Sequence, residues 1–560
     1  MSNDYKDLAS NNPDTRPVIG INDPPLEEGQ TIPQEDMQTI SVEGEQTASV
    51  EGTHTVRMEG EQTAPVEGQP TVPTEGEQAA PVAGEEPAPA VPLVRPRPQQ
   101  RKNIDLSGNI TKPLLLFLIP LMLSNALQSI SGTVTSIYLG RGLGEKALAA
   151  VSTVFPITFF LISFIIGIGG ASSVLIGQAY GSGNVERMKA TVGTSLTFSF
   201  LLGLLSAVIG NVFAYDLFAL IRTPEEIVEE AVRFARIIFT FLPIMFVYIS
   251  YTTFLRGTGD SKTPFYFLLI STVLTIGLTP IFLFGWFGLP VLGVEGAAVA
   301  NVTATIVTLI VLFVYLARKK HPLALDKETL KKLRLDREIV KLMLKIGIPT
   351  SVQMIFVSLS EVAVLALINA YGAEATAAYG AVIQVINYAQ MPAMSLGMAV
   401  GIFGAQMIGS GRQEKLQELI RSAVVLNYAI GAIIVGTVFV FSTTILSWFL
   451  TDSHTLAMAH DILFISLWAF IIFGHAMIIS GIMRSSGTVL WPTTIGILSI
   501  WVVQVPTAYL LSKAIGLTGI WMAYPIAFTV SLIAQYTYYR LFWRGRTHRQ
   551  FFDSPAPENG

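Results

Sequence analysis

ALAAVSTVFPITFFLISFIIGIGGASSVLIGQAYGSGNV, residues 147–185, runs for 39 positions between Lys146 and Glu186 without one charged side chain. About 20 apolar residues, each rising 1.5 Å, are enough to cross the roughly 30 Å of a bilayer's hydrocarbon. Five more charge-free runs surround this one, from Lys112 to Arg141, Lys189 to Asp216, Arg236 to Arg256, Lys262 to Glu295 and Glu295 to Arg318. After a charged hinge the pattern resumes between Lys345 and Glu374, Glu374 and Arg412, Arg421 and Asp452, Asp461 and Arg484, Arg484 and Lys513, and Lys513 and Arg540. The sequence therefore predicts an all-α integral membrane protein with twelve transmembrane helices. They form two six-helix lobes, an N-lobe over 113–317 and a C-lobe over 346–540, joined by a cytoplasmic linker over 318–345.

The chain ahead of this body is of another kind. Residues 1–94 hold 18 Asp/Glu against three Lys/Arg, whereas the remainder holds 22 against 33. Glu43 to Ala48 recurs at Glu59 to Ala64 and, with one Thr→Ala change, at Glu75 to Ala80. Such a repeat has neither a helical stripe nor strand alternation, so the expectation is a disordered acidic tail. No basic region leads into an apolar core and a cleavage site, so it is not expected to be a signal peptide. A basic juxtamembrane segment, 95–112, follows, and a tail over 541–560 ends the chain.

Basic residues orient the spans. With both ends on one side, that side receives 27 Lys/Arg and the other six, which predicts cytoplasmic termini. There are no cysteines, so thiol chemistry, disulfides and Cys-based metal sites are excluded. The Gly-Ser-Gly turns at 181–183 and 409–411 sit in no strand–turn–helix unit and are followed by no Lys-Ser/Thr pair, so nothing points to an ATP-driven pump. The linker mixes its basic residues with Asp326, Glu328, Asp336 and Glu338 and has no aromatics for base stacking; no nucleic-acid partner is expected, but an amphipathic helix lying on the bilayer is.

The second six spans repeat the first. At an offset of 228, Gly144 meets Gly372, Gln178 meets Gln406, Gly181-Ser182-Gly183 meets Gly409-Ser410-Gly411, and Arg256 meets Arg484. An even number of spans per unit makes these parallel repeats, related by a pseudo-two-fold axis along the membrane normal. Bodies of that kind place a substrate cavity between lobes and work by rocking one against the other, so transport is expected rather than catalysis.

Leu118-Ile119-Pro120-Leu121-Met122-Leu123-Ser124, Gly140-Arg141 with Leu148-Ala149-Ala150, Gly177-Gln178-Ala179-Tyr180-Gly181, and Leu255-Arg256-Gly257-Thr258-Gly259-Asp260 follow in order. This series resembles the signatures of the multidrug and toxic compound extrusion (MATE) transporters, and the resemblance covers residues 110–545. It implies a bacterial multi-pass inner-membrane protein, working as a monomer in the lipid bilayer, with H⁺ or Na⁺ entering as organic, often cationic, amphipathic compounds leave. No cofactor beyond the coupling ion is implied. Many bacterial members have an acid in the first helix where Thr135 stands here, and an Asn and an Asp in the fifth where Thr275 and Thr279 stand. A hydroxyl does not titrate in the physiological range, so the N-lobe lacks the proton carriers of that subset.

Glu361 remains. It is the sole charge between Lys345 and Glu374, at the middle of span seven, and the resemblance matches it to a coupling residue in one branch of the family. A carboxylate at that depth costs at least about 2.5–3.5 kcal/mol, which marks it as functional; Na⁺ is an alternative occupant. Gln384, Asn387 and Tyr388 share a helix face at i, i+3 and i+4 and, with Gln353, are candidates for a cation shell or cavity lining; Asn125 and Gln128 are their N-lobe equivalent. Interhelical hydrogen bonding is the competing account. Histidine is the side chain whose ordinary pKa lies nearest neutrality, and Asp461 lies at the outer mouth of the same span, so His475 and Asp461 join the candidates. For Arg256 and Arg484, snorkelling to lipid headgroups is expected. Two other functions remain open: a lipid-linked precursor flippase of the same superfamily, separable by a scramblase-type assay, and an ion channel, separable by single-channel recording.

Overall fold

The structure is a computed structural model that describes residues 110–548 and 550–552. The acidic tail and nearly all of the juxtamembrane segment lie outside these residues. Twelve helices are long and apolar enough to cross a membrane: α1 (Thr111–Gly142), α2 (Glu145–Gly181), α3 (Val185–Val212), α4 (Glu225–Gly257), α5 (Lys262–Phe284), α6 (Val294–Arg318), α7 (Arg337–Asn369), α8 (Ala373–Gly409), α9 (Gln413–Val440), α10 (Ser453–Ser485), α11 (Leu490–Ile515) and α12 (Leu517–Trp543). No strand occurs among the described residues. The helices satisfy their own backbone groups, as an apolar solvent demands. Prolines lie inside the spans, among them Pro120, Pro243, Pro349 and Pro392, as membrane helices tolerate better than soluble ones.

The repeat is visible in the backbone. Gly144 and Gly372 take φ of 94° and 98° just before α2 and α8, where a side chain would be strained, and each lets its two helices turn back within two or three residues. In the N-lobe α2 packs on α4 and α5 on α6; in the C-lobe α8 packs on α10 and α11 on α12, the same pairs one repeat later. The lobes meet where α2 crosses α8, flanked by α1 against α8 and α2 against α7. Lipid tails are as apolar as leucine, so close packing holds these helices rather than expulsion of water. A Cβ on Gly181 would lie 2.2 Å from the Gln406 carbonyl oxygen, and one on Gly409 would lie 2.1 Å from that of Gln178.

The linker corrects one expectation. It is not a long amphipathic helix but a five-residue one, Lys327–Lys331, docked on α3. Lys189 of α3, largely buried, pairs with both Asp326 and Glu328. Thr194 donates to the Arg334 carbonyl at 3.1 Å, and Tyr251 of α4 to that of Leu323 at 3.2 Å. Lys189 and the Thr329 amide and hydroxyl together hold the Asp326 carboxyl well below the usual range, at about 2, despite a desolvation cost in the other direction. The linker is thereby part of the N-lobe.

Candidate functional site

The end of the bundle that carries the linker is sealed. Gln178 of α2 donates from Nε2 to the Ser485 carbonyl at the end of α10, at 2.9 Å, and Gln406 of α8 donates to the Gly257 carbonyl at the end of α4, at 2.8 Å. Donors and acceptors are both related by the 228-residue offset, so this is one contact made twice. Asn125 of α1 donates to Ser395 Oγ of α8 at 3.2 Å, Ser351 of α7 to the Phe164 carbonyl of α2 at 3.4 Å, and the Phe117 and Phe403 rings meet edge to face. Among the described residues, the side-chain hydrogen bonds that cross between lobes all fall in this half of the bundle. The far half of the lobes has none among the described residues.

The chain beyond α12 lies over this seam. His548 stacks on Trp543 with centroids 3.8 Å apart and exchanges two hydrogen bonds with Gln413. Gln550 donates to the Ile408 carbonyl at 3.1 Å, and the Phe551 amide donates to Gln178 Oε1 at 3.0 Å. Phe552 is buried in the apolar core around α2, α3 and α4, under the Arg187 guanidinium. Residues 544–548 and 550–552 thus strap the C-lobe to the N-lobe.

On the open side of this seal, Glu361 is exposed, half-way along α7, and has neither a hydrogen bond nor an ion pair among the described residues. Tyr379 of α8 and Tyr524 of α12 lie within electrostatic range of its carboxylate. The Tyr524 hydroxyl in turn reaches Gln504, which sits at the end of a π-helical stretch, Ser499–Gln504, of α11. Wide turns of this kind inside membrane helices often mark functional positions. The Trp521 ring packs between Tyr379 and Tyr524, and its indole N–H is enclosed without a partner. Tyr379, Gln504 and Tyr524 were not legible from the sequence, since they come from three helices and carry no spacing in common with Glu361.

The other predicted residues divide. Gln384, Asn387 and Tyr388 do share one exposed face of α8, and Asn387 Oδ1 accepts from Gln390 at 2.9 Å. Gln353 does not join them. Its Oε1 accepts from Arg484 Nη2 at 2.6 Å, and it lies eight residues, about 12 Å along a helix, from Glu361. Asn125 is spent on Ser395, and Gln128 is exposed one turn further on. His475 pairs with the Tyr428 hydroxyl at 3.3 Å, between α10 and α9. Asp461 is exposed and lies beside His460, 3.6 Å away. Arg484 is also a correction. Its guanidinium runs back along α10 to Ser480 and inward to Thr350 and Gln353, away from the headgroups, because helical side chains point toward the N-terminus.

Two repeated six-helix lobes of membrane-length helices, joined at the linker end by paired side-chain contacts, define the class as a membrane transporter. The chain belongs to the MatE family, whose family model matches it twice, over 120–281 and 349–510, once per lobe. It is 52% identical over 438 residues to the probable multidrug resistance protein YoeA of Bacillus subtilis, across 78% of this chain and 95% of that one. It is 28% identical to the probable multidrug resistance protein YpnP of the same organism, across 77% and 95%. A crystal structure of MATE in the straight conformation shares the fold with a TM-score of 0.72 at 22% identity, covering 78% of this chain and 97% of that one.

Proposed function

We propose that this protein is a secondary active multidrug exporter in the bacterial cytoplasmic membrane, with the linker end inside, in which entry of H⁺ or Na⁺ through Glu361 drives the exit of amphipathic organic compounds. The observation that carries this reading is Glu361 itself, an exposed carboxylate midway through a membrane helix with no ion-pair partner among the described residues. Such a group costs several kcal/mol as a permanent bare charge, so it takes up a proton or a metal cation when enclosed and releases it to water when open. Tyr379, Tyr524 and Gln504 supply hydroxyl and amide groups that can follow that change. The orientation rests on the 27 to six division of Lys/Arg. The relatives' names support the substrate class, and the exposed Tyr388, Met394, Met398 and Phe155 offer apolar and aromatic surface on α8 and α2.

In proteoliposomes, pH and Na⁺ gradients imposed separately identify the coupling ion, and Glu361→Gln abolishes gradient-driven export while the protein stays folded. Export by the Gln variant at the wild-type rate refutes the role of Glu361.

A further inference from the structure

The two repeat-mate arginines are treated differently by the fold. Arg484 has three side-chain partners, Gln353 at 2.6 Å, Ser480 at 3.2 Å and Thr350 at 3.5 Å. The N-lobe residues at the same repeat positions are Asn125, Thr252 and Met122. Met122 offers no oxygen. Asn125 donates across the seam to Ser395, and the Thr252 hydroxyl donates to the Ile249 carbonyl at 2.7 Å. Arg256 is left half-buried with no hydrogen bond or ion pair to any described residue, and its Nε is enclosed without a partner. Tyr248, two turns back on α4, lies within electrostatic range. Its hydroxyl is also enclosed, with Ser271 of α5 as a polar neighbour.

A guanidinium whose enclosed Nε has no partner is expensive. Leaving buried donors unmade costs about 1–3 kcal/mol each, and more for a charged group. The C-lobe demonstrates that this position can be satisfied from within the chain, with a Thr and a Gln on the first helix of the lobe. The N-lobe has given up those partners, and the interiors of its spans hold no carboxylate to replace them. What matches a forked array of donors is an oxyanion.

We infer that Arg256, with Tyr248 further back on the same helix, is a binding site for the oxyanion of an amphiphile, a carboxylate or a phosphate. This rests on the export reading and extends its substrate class to compounds carrying negative charge. Two sources have that chemistry, an exported solute and the headgroup of a membrane lipid.

The test uses the full-length protein in lipid-stripped maltoside detergent and a matched pair of fluorescent probes, 9-anthracenecarboxylate and the uncharged 9-anthracenemethanol. Arg256→Gln is expected to weaken binding of the carboxylate about 10- to 100-fold, the range for a hydrogen-bonded ion contact, and to leave the alcohol unaffected. Arg256→Lys is expected to retain part of the affinity, and Tyr248→Phe, which keeps the ring, to weaken the carboxylate alone by a few-fold. Phosphatidic acid that displaces the carboxylate, together with wild-type proteoliposomes that export the alcohol but not the carboxylate, supports the site with lipid as the source; export of both probes by the wild type supports the solute. Equal carboxylate affinity in wild type, Arg256→Gln and Tyr248→Phe, at unchanged melting temperature, overturns the site and leaves interior water as the partner. Failure of the wild type to export either probe or any amphiphile tried, with carboxylate binding still dependent on Arg256, refutes the export reading instead.

Discussion

Replacing Gly181 with alanine tests whether the α2–α8 crossing holds the linker end shut. The added methyl carbon would stand 2.2 Å from the Gln406 carbonyl oxygen, against an ordinary C···O contact of about 3.3–3.6 Å, so the helices must part by roughly 1 Å. The obstacle is backbone, which has no rotamer to move into. Separation on that scale stretches the 2.9 and 2.8 Å bonds of Gln178 and Gln406 beyond hydrogen-bonding range. Two lost bonds at about 1 kcal/mol each, with about 1–3 kcal/mol of overpacking strain, total about 3–5 kcal/mol. At about 1.4 kcal/mol per decade the ratio of sealed to unsealed molecules falls by roughly two to three and a half orders of magnitude. The chain has no cysteine, so Ser182→Cys with Ser410→Cys, repeat mates at the ends of α2 and α8, gives a clean spin-label pair. Pulsed electron resonance on wild type should give one short distance, and Gly181→Ala or Gly409→Ala a longer one. Gly170→Ala, on the same helix with nothing within 4 Å of its Cβ, should leave the distribution unchanged. An unaltered distance in both seam variants refutes the crossing as the seal.

Other outcomes follow from the same contacts. Deleting residues 544–560 removes the strap and should move the same spin-label distance toward the unsealed value while Glu361 chemistry is untouched; no movement makes the strap a passenger. Burial holds His548 below the ordinary histidine range, so strap docking is complete above about pH 6.5 and weakens as pH falls through the lowered value; hydrogen exchange at Phe551, compared between pH 7.5 and 5, should show this, and His548→Phe should flatten it. Lys189→Met leaves Asp326 and Glu328 without their shared cation and should free the linker, seen as faster tryptic cleavage at Lys327, Lys331 and Lys332. Because Asp326 is depressed to about 2, its contribution is present above about pH 4 and lost as pH falls toward 2, so Asp326→Asn should show a shallower loss of thermal stability between pH 5 and 2.5.

Much of the architecture was written in the distribution of charge. Runs free of Asp, Glu, Lys and Arg count the spans because a bilayer excludes those side chains, but they measure the hydrocarbon and not the helix. Thus α4 begins at Glu225, eleven residues before Arg236 closes its charged first turns, and α7 begins at Arg337, eight before Lys345. The constant offset gave the lobes for a similar reason: turns such as Gly144 and Gly372 demand one backbone conformation and tolerate one residue. Glu361 stood out because acids are rare at that depth. Its neighbours Tyr379, Gln504 and Tyr524 did not, since tyrosines and glutamines are common in these helices and only the packing of α8, α11 and α12 selects three of them. Gln353 was drawn to the wrong partner because residue type was weighed without height along the helix. The linker misled by its composition: a mixed-charge segment reads as solvated until a buried Lys189, 137 residues away from Asp326, is known to wait for it.

The seam bonds have the form of an isologous interface, the kind a homodimer makes: the group that donates on each half faces its own counterpart's acceptor. Either six-helix half carries both a donor and an acceptor, so the two would remain complementary with the linker cut, as two copies of one half would across the same axis. What such a dimer cannot have is a difference between its subunits. Glu361 faces Thr133 across the repeat, and the Thr350 and Gln353 that occupy Arg484 face the Met122 and Asn125 that abandon Arg256. The seal is shared between the halves, and the chemistry resides in the positions where they have ceased to be copies.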